Sequence, residues 1–235
     1  MRRGSRGSRG GRGSRGGRGS RGGRGGRERY EGQIAGVGTT SGTRIVVGRW
    51  LRTPLGPFAD AMVERADGHR VLLAPDAAVR NVIETTYVFD EVRLEPVEVQ
   101  VVQGGDPSSG QDKGASWVLT SPSLRLTFGV GRRRPLGLLL RAVPPPLATN
   151  TTWATLIDPL AARVMDGVHT RGTAREGRRE WYGATDLHGL TSATGSFDGS
   201  DLGRLAPVEP PCRFGFSSTP REPGVTTVVT TIETL

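Results

Sequence analysis

The fold class is decided by the stretch Ala61-Met62-Val63-Glu64-Arg65-Ala66-Asp67-Gly68-His69-Arg70-Val71-Leu72-Leu73. Its two outer runs are rich in apolar and β-branched residues, and Ala66-Asp67-Gly68 separates them. Asp-Gly is typical of tight hairpin turns, because both residues tolerate the positive φ angles that such turns require. The stretch therefore predicts a β-hairpin.

A second hairpin is predicted upstream of the first. Gln33–Val37 and Thr43–Val47 are short β-rich runs, and the polar, glycine-containing segment 38–42 lies between them. The glycine spacing fits neither the dinucleotide-binding fingerprint nor the Walker pattern, and no helix start follows. We therefore interpret segment 38–42 as a hairpin turn and not as a phosphate-binding loop.

Downstream, the pattern alternates between one short helix and further strands. Asp76 is a suitable N-cap for a helix that places apolar residues on one face, namely Val79, Val82 and Ile83. Glu91–Val102 has a strand pattern that changes phase at Pro96, where we expect a bulge or a break. Ser116–Thr120 and Leu124–Val130 are two further predicted strands.

The C-terminal third combines a proline-rich connector, one more helix and several strands. Pro144-Pro145-Pro146 predicts an extended connector, and a short helix is expected after it, with Asp158 as N-cap and Pro159 at the first helical position. Strand-like residues return in Thr170–Ala193, Cys212–Ser217 and Val225–Ile232. Together these patterns predict a mainly β fold, a barrel or sandwich with two or three short helices, in a single domain of residues 30–235.

Gly48-Arg49-Trp50 resembles the G-x-W signature near the first strand of lipocalin-type barrels. In that family the tryptophan closes the floor of the barrel, so the resemblance implies a lipocalin-like barrel with an apolar interior. The motif lies beyond two predicted strands and not at the first, which departs from the family pattern. No ligand-binding residue can be transferred from the family to this chain.

The first 27 residues form a basic tail of a different character. After Met1 and Arg2 the tail contains only Arg, Gly and Ser, and Arg occupies every third position: Arg3, Arg6, Arg9, Arg12, Arg15, Arg18, Arg21, Arg24 and Arg27. The ten tail arginines carry +10 in a chain of formal net charge +9, so the remaining 208 residues carry about −1. Because the tail has almost no apolar side chain to bury, we expect residues 1–29 to be disordered.

The tail resembles the RGG-box segments of RNA-binding proteins, which implies non-specific contact with RNA or single-stranded DNA through phosphates and stacked bases. RGG boxes usually include Phe or Tyr, and here the first aromatic residue is Tyr30. Two alternatives remain. The tail is a solvated extension without a partner, or it is an upstream repeat translated from a misassigned start codon.

A basic triplet, Arg132-Arg133-Arg134, is either a solvated strand end or a second phosphate contact.

Composition suggests a cytoplasmic protein. Cys212 is the single cysteine, so no disulfide can form within the chain. No hydrophobic segment of signal-peptide type follows the basic tail, and the longest apolar stretch, Leu136–Val143, is too short to span a bilayer. The 31 arginines and one lysine resemble the usage of high-GC bacteria, which indicates no function.

One polar segment could carry chemistry. If Arg178–His188 is a strand, Tyr182, Asp186 and His188 share one face, and Asp186 could orient the His188 imidazole for general acid/base work. No nucleophile motif accompanies these residues, so they could equally form the polar outer face of a half-buried strand. The histidines are too scattered for a metal site, and Asp198-Gly199-Ser200-Asp201 is a turn more than a calcium loop.

Two functions therefore remain open. The first is a non-enzymatic β-rich binding protein that holds a small apolar ligand or a protein partner, with a tail that contacts nucleic acid. The second is an enzyme that uses Tyr182, Asp186 and His188. The incomplete catalytic set favours the first, and no cofactor is indicated.

Overall fold

The computed structural model describes residues 27–104, 114–143, 171–173, 178–215 and 219–234. In these ranges the strands are β1 (Arg27–Thr39), β2 (Arg44–Arg52), β3 (Phe58–Glu64), β4 (Arg70–Ala74), β5 (Glu91–Leu94), β6 (Glu98–Val102), β7 (Ser116–Thr120), β8 (Leu124–Arg133), β9 (Arg171–Thr173), β10 (Arg178–Phe197), β11 (Ser200–Asp201), β12 (Leu205–Ala206) and β13 (Gly224–Thr234). The helices are α1 (Ala77–Glu84) and α2 (Pro135–Ala142).

All the strands belong to one sheet with the order β5-β4-β3-β2-β1-β13-β10-β8-β7-β6, to which β9, β11 and β12 add short pairings. Only β4 and β5 pair in parallel, with α1 as the crossover between them. The mainly β prediction is confirmed, and the curled half-barrel sheet agrees with the barrel alternative.

The chain brings one end of each sheet edge close to the other. The edge strands β5 and β6 are consecutive in the chain, and only residues 95–97 join them. Four steps from Leu94 to Glu98 span at most about 14 Å, so these ends of the two edges must lie close to each other. The predicted break at Pro96 is confirmed, and it is the point where the chain crosses from one edge to the other.

The concave face of the sheet holds the main core. Side chains from opposite parts of the sheet meet there, including Val37 and Ile45 from one half and Leu126 and Phe128 from the other. A second core lies on the convex face of β2–β4, where α1 and segment 207–215 cover Val46, Met62 and Leu72. The two faces therefore offer two different environments for a site.

The local predictions around the hairpins are confirmed. β3 and β4 pair from Ala61–Leu73 to Glu64–Arg70, although only Gly68 takes a positive φ, of 89°. β1 and β2 form the other hairpin, and Gly42 in its turn has a φ of 82°. Asp76 caps α1 as expected.

Two predictions about the C-terminal half need correction. Residues 212–215 form no strand, because the Arg213 N–H donates to the Glu64 carboxylate and Phe214 packs on the convex face. Helix α2 was not predicted, although Pro135 at its first turn is a recognised start signal. The predicted triproline connector and the helix after Asp158 lie outside the described residues.

Candidate functional site: an aromatic pocket on the convex face

The three residues predicted to share a face of β10 are divided between its two faces. Tyr182 pairs with Thr230, whereas Asp186 pairs with Thr227, so β10 contains one more residue than β13 over this interval. This β-bulge between Ala184 and Asp186 reverses the alternation of side chains. Tyr182 therefore lies on the convex face, whereas Asp186 and His188 lie on the concave face, and the expected shared face does not exist.

Asp186 is bound mainly to an arginine and not to the neighbouring histidine. The Arg133 Nε and Nη2 atoms donate to its two oxygens at 2.7 and 3.0 Å. Burial would raise the pKa of Asp186, but the bonds from Arg133 and from the Leu187 N–H, with the charges of Arg133 and His188, hold it below its usual value. Asp186 is therefore a structural partner of Arg133, which is one of the three arginines of the basic triplet.

His188 is oriented by the backbone. Its Nδ1 atom lies 3.0 Å from the Gly131 carbonyl oxygen and must donate to it, while its Nε2 atom lies 3.6 Å from Asp186 Oδ2, beyond hydrogen-bonding distance. His188 faces a concave cleft of about 390 Å³. Across the cleft, Arg49 lies 5.8 Å from the Trp117 ring centre and donates to Gln33.

A smaller and more apolar pocket lies on the convex face, and we call it the aromatic pocket. Its volume is about 60 Å³, which exceeds the space that one or two water molecules need. It lies between α1 and the strands β3, β2, β1, β13 and β10. Its walls carry five aromatic side chains, namely Tyr30, Trp50, Phe58, Tyr87 and Tyr182.

Four of these aromatic side chains lie on strands, and Tyr87 lies in the segment after α1. The Tyr30 and Trp50 ring centres are 6.1 Å apart in an edge-to-face arrangement, and those of Trp50 and Phe58 are 6.2 Å apart. At the other side, the Tyr87 and Tyr182 hydroxyl groups are hydrogen-bonded to each other. Tyr182 thus contributes to a site, but to a different one from that of Asp186 and His188.

Asp60 is the single carboxylate that lines the described part of the aromatic pocket. It is 5% exposed, and its Oδ1 atom accepts a hydrogen bond of 2.9 Å from the Trp50 indole N–H. Within the described ranges no other hydrogen bond and no ion pair reaches Asp60, so its Oδ2 atom has no partner there, and the residue lines the pocket. Burial raises the pKa of Asp60 to about 6, although the Trp50 bond partly opposes this shift.

Gly48 makes the bond between Trp50 and Asp60 sterically possible. A Cβ atom at position 48 would lie 2.2 Å from Asp60 Oδ1 and 2.6 Å from Trp50 Nε1. Gly48 and Trp50, the first and third residues of the lipocalin-like motif, therefore both line the aromatic pocket. Trp50 does not lie on a barrel floor, which is the place that the resemblance implied.

Glu64, on the same strand as Asp60, is a buried carboxylate that has ion-pair partners. It is fully buried on the same face as Asp60, and the Arg44 Nη2 atom lies 2.9 Å from it. The backbone N–H and Nε of Arg213 also donate to it, at 2.8 and 3.1 Å. Glu64 has two arginine partners, whereas Asp60 has none among the described residues, and this difference distinguishes Asp60 as a candidate binding group.

Thr230 supplies a buried hydroxyl group in the aromatic pocket. It is 2% exposed, and its hydroxyl group has no hydrogen-bond partner in the described structure. Three strand spacings separate β13 from β3, or about 14 Å, so Thr230 and Asp60 serve different parts of the pocket. A buried polar group without a partner is costly, so the Thr230 hydroxyl group is suited to hydrogen bonding with a bound molecule.

Sequence reasoning did not find this pocket. Asp60 lies among apolar residues, just before the predicted strand that begins at Ala61, whereas β3 begins at Phe58. The sequence signal at Trp50 is the G-x-W motif, which does not point to Asp60. The available signal was a lone carboxylate within a buried strand. The partners Tyr30, Tyr87 and Thr230 are brought to it by tertiary structure, which a local pattern does not encode.

The other predicted sites are also located by the structure. Asp198, in the turn that resembled a calcium loop, is bound by Arg93 at 2.5 Å and also pairs with Arg65. Arg27 begins β1 and pairs with Glu233 at 3.1 Å, while the other tail arginines lie outside the described residues.

In the part of the chain that the structure describes, neither helix has the length and the apolar character that a membrane span requires.

No protein-family model, curated protein or solved structure matches this chain. Its function therefore has to be inferred from the geometry of the molecule itself.

Proposed function

We propose that the protein is a non-enzymatic binding protein that holds a small, mainly apolar ligand in the aromatic pocket. The observation that carries the proposal is the buried Asp60 carboxylate, which has one open oxygen and no cationic partner among the described residues. A shift in pKa from 3.8 to about 6 corresponds to roughly 3 kcal/mol of unfavourable free energy for the ionised form. A fold that keeps such a group beside an open pocket is expected to use it in binding.

The lining of the pocket supports an apolar ligand of small size. The aromatic rings and neighbouring aliphatic side chains provide most of the surface, and polar atoms provide a small part. Such a lining is typical of ligand pockets, in which a few polar groups fix the orientation of the ligand. The lipocalin-like Gly48-Arg49-Trp50 motif favours the same class of function, although here it would act on the convex face.

The enzymatic alternative has weaker support. Tyr182 lies on the opposite face of β10 from His188, and Asp186 is bonded to Arg133 and not to the imidazole. Among the described residues that line the concave cleft, His188 would be the remaining candidate for a general base. We also propose that the basic tail adds non-specific contact with RNA or single-stranded DNA, and this contact would be independent of the pocket.

Filling the pocket tests the binding proposal. Val82 on α1 lines the aromatic pocket, so Val82→Trp should occupy it, whereas Val88→Trp places the same side chain on the exposed surface outside it. A mixture of small branched amines and alcohols is screened by saturation-transfer NMR. We expect binding to the native chain and to Val88→Trp, and its loss in Val82→Trp.

Two results would contradict the proposal. If no member of the mixture binds the native chain at millimolar concentration, the pocket does not hold small apolar ligands. If Val82→Trp binds as well as Val88→Trp, binding occurs elsewhere on the molecule. Circular dichroism of both variants establishes that each is folded.

A further inference from the structure

The charge distribution of the aromatic pocket is one-sided. Its described lining contains the Asp60 carboxylate and no Arg, Lys or His side chain. The faces of aromatic rings are electron-rich, so the aromatic lining of the pocket also favours a cation over an anion. An anionic ligand would be repelled there, whereas a cation would gain from both the carboxylate and the rings.

We propose that the ligand of the aromatic pocket is a primary alkylammonium ion, whose nitrogen donates to the open oxygen of Asp60 beside Trp50 and Phe58. This inference rests on the proposed binding function and specifies the chemical class of the ligand. The ammonium group supplies the positive charge that Asp60 lacks within the described structure. The alkyl chain lies against aliphatic side chains of the same pocket, such as Val46 and Met62.

The hydrogen bonds of Asp60 select among the common organic cations. Guanidinium ions bind carboxylates best through two parallel hydrogen bonds that use both oxygens. The Trp50 N–H already donates to Oδ1, so a guanidinium ion would have to share that oxygen, whereas an ammonium ion needs only Oδ2. Quaternary ammonium ions have no N–H donor, whereas a primary ammonium has three donors on a compact charge. The site therefore favours primary ammonium over both.

A neutral alcohol is the closest competitor, because it also donates one hydrogen bond to a carboxylate. Both ligands would donate to an ionised acceptor, but only the ammonium adds the Coulomb attraction of a full positive charge to Asp60 and cation–π attraction to the aromatic rings. We therefore expect the ammonium ion to bind at least about tenfold more tightly than the alcohol of the same shape.

The test compares isobutylammonium with isobutanol, which differ only in the donor group. Both are titrated into the full chain at neutral pH, where a primary amine is protonated. Binding is followed by the NMR signal of the Trp50 indole N–H, which is bonded to Asp60. Tetramethylammonium and guanidinium are titrated in the same way, and both should bind more weakly than isobutylammonium.

The outcomes separate this inference from the proposed function. If isobutanol binds as tightly as isobutylammonium, the ligand is not a cation, but the pocket still binds small apolar molecules. If neither molecule binds, and neutral ligands fail as well, the proposed function itself is wrong. If tetramethylammonium binds as tightly as isobutylammonium, donation to Asp60 is refuted.

A variant provides a second, independent measurement. Asp60→Asn should weaken isobutylammonium binding about tenfold or more while changing isobutanol binding by less than about threefold. The matched control is Asp67→Asn, which removes the same charge from the exposed hairpin turn and should change neither affinity. Equal losses for both ligands in Asp60→Asn would contradict the proposed role of its charge. If Asp60→Asn does not fold, the comparison of the two ligands on the native chain remains decisive.

Discussion

At the scale of single residues, Asp60 makes stability depend on pH. Its pKa in the folded chain is about 6, above its usual 3.8, so the folded state holds a proton that the unfolded state has released between these values. The contribution of Asp60 to the free energy of unfolding is therefore fully present below about pH 4, and it is lost as the pH rises through 6. The loss amounts to roughly 3 kcal/mol.

Asp60→Asn isolates this contribution, because asparagine stays neutral at every pH. We expect the free energy of unfolding of Asp60→Asn, relative to the native chain, to increase by roughly 3 kcal/mol from pH 4 to pH 7.5. Urea unfolding at the two pH values measures the difference. Asp67→Asn, which changes an aspartate in the exposed hairpin turn, serves as the control. A constant difference for Asp60→Asn would show that Asp60 titrates normally.

At the scale of elements, helix α1 depends on its cap and forms one wall of the aromatic pocket. The Asp76 carboxylate accepts hydrogen bonds from the Ala78 and Val79 N–H groups, at 2.8 and 2.9 Å. Asp76→Ala should lower the free energy of unfolding by about 1 kcal/mol. Asp76→Asn keeps an acceptor at the same place and should cost much less. Equal costs in urea unfolding would mean that the cap is not the stabilising feature.

The elements also mark the limit of what the sequence could predict. The hairpin around Gly68, the cap at Asp76 and the break at Pro96 depend on a few neighbouring residues, and all three were predicted from them. The bulge between Ala184 and Asp186 was not, because one extra residue in a strand leaves the local pattern intact. That single residue determines which face each candidate side chain occupies.

At the scale of the whole molecule, the mainly β class was predictable, whereas the composition of the pocket was not. Short alternating runs with turn residues between them indicate strands wherever they pair. The aromatic pocket needs β3, β2, β1, β13 and β10 in adjacent positions, and this order joins the first strand to the last. No local signal connects Tyr30 with Thr230, so the site could be recognised only after folding.

The tail belongs to the same scale, because it carries the whole positive excess of the chain. We expect the full chain to bind single-stranded RNA with a steep dependence on salt, and a truncated chain beginning at Glu28 not to bind. Contact with about four phosphates would weaken binding about fiftyfold between about 50 and 200 mM salt. Fluorescence anisotropy with both chains measures this, and equal binding by the two would exclude the tail as the contact.

The pairing of β1 with β13 has a consequence for biosynthesis. Arg27 and Glu233 lie opposite each other in this pairing and are 206 residues apart in the chain. A ribosome releases the chain from its N-terminus, so β1 must wait for nearly the whole domain before its partner on that side emerges. Contacts this distant in sequence slow folding and expose unpaired strand edges in the meantime. The edges of β1 and β10 that face β13 are therefore expected to stay unpaired until β13 is inserted between them.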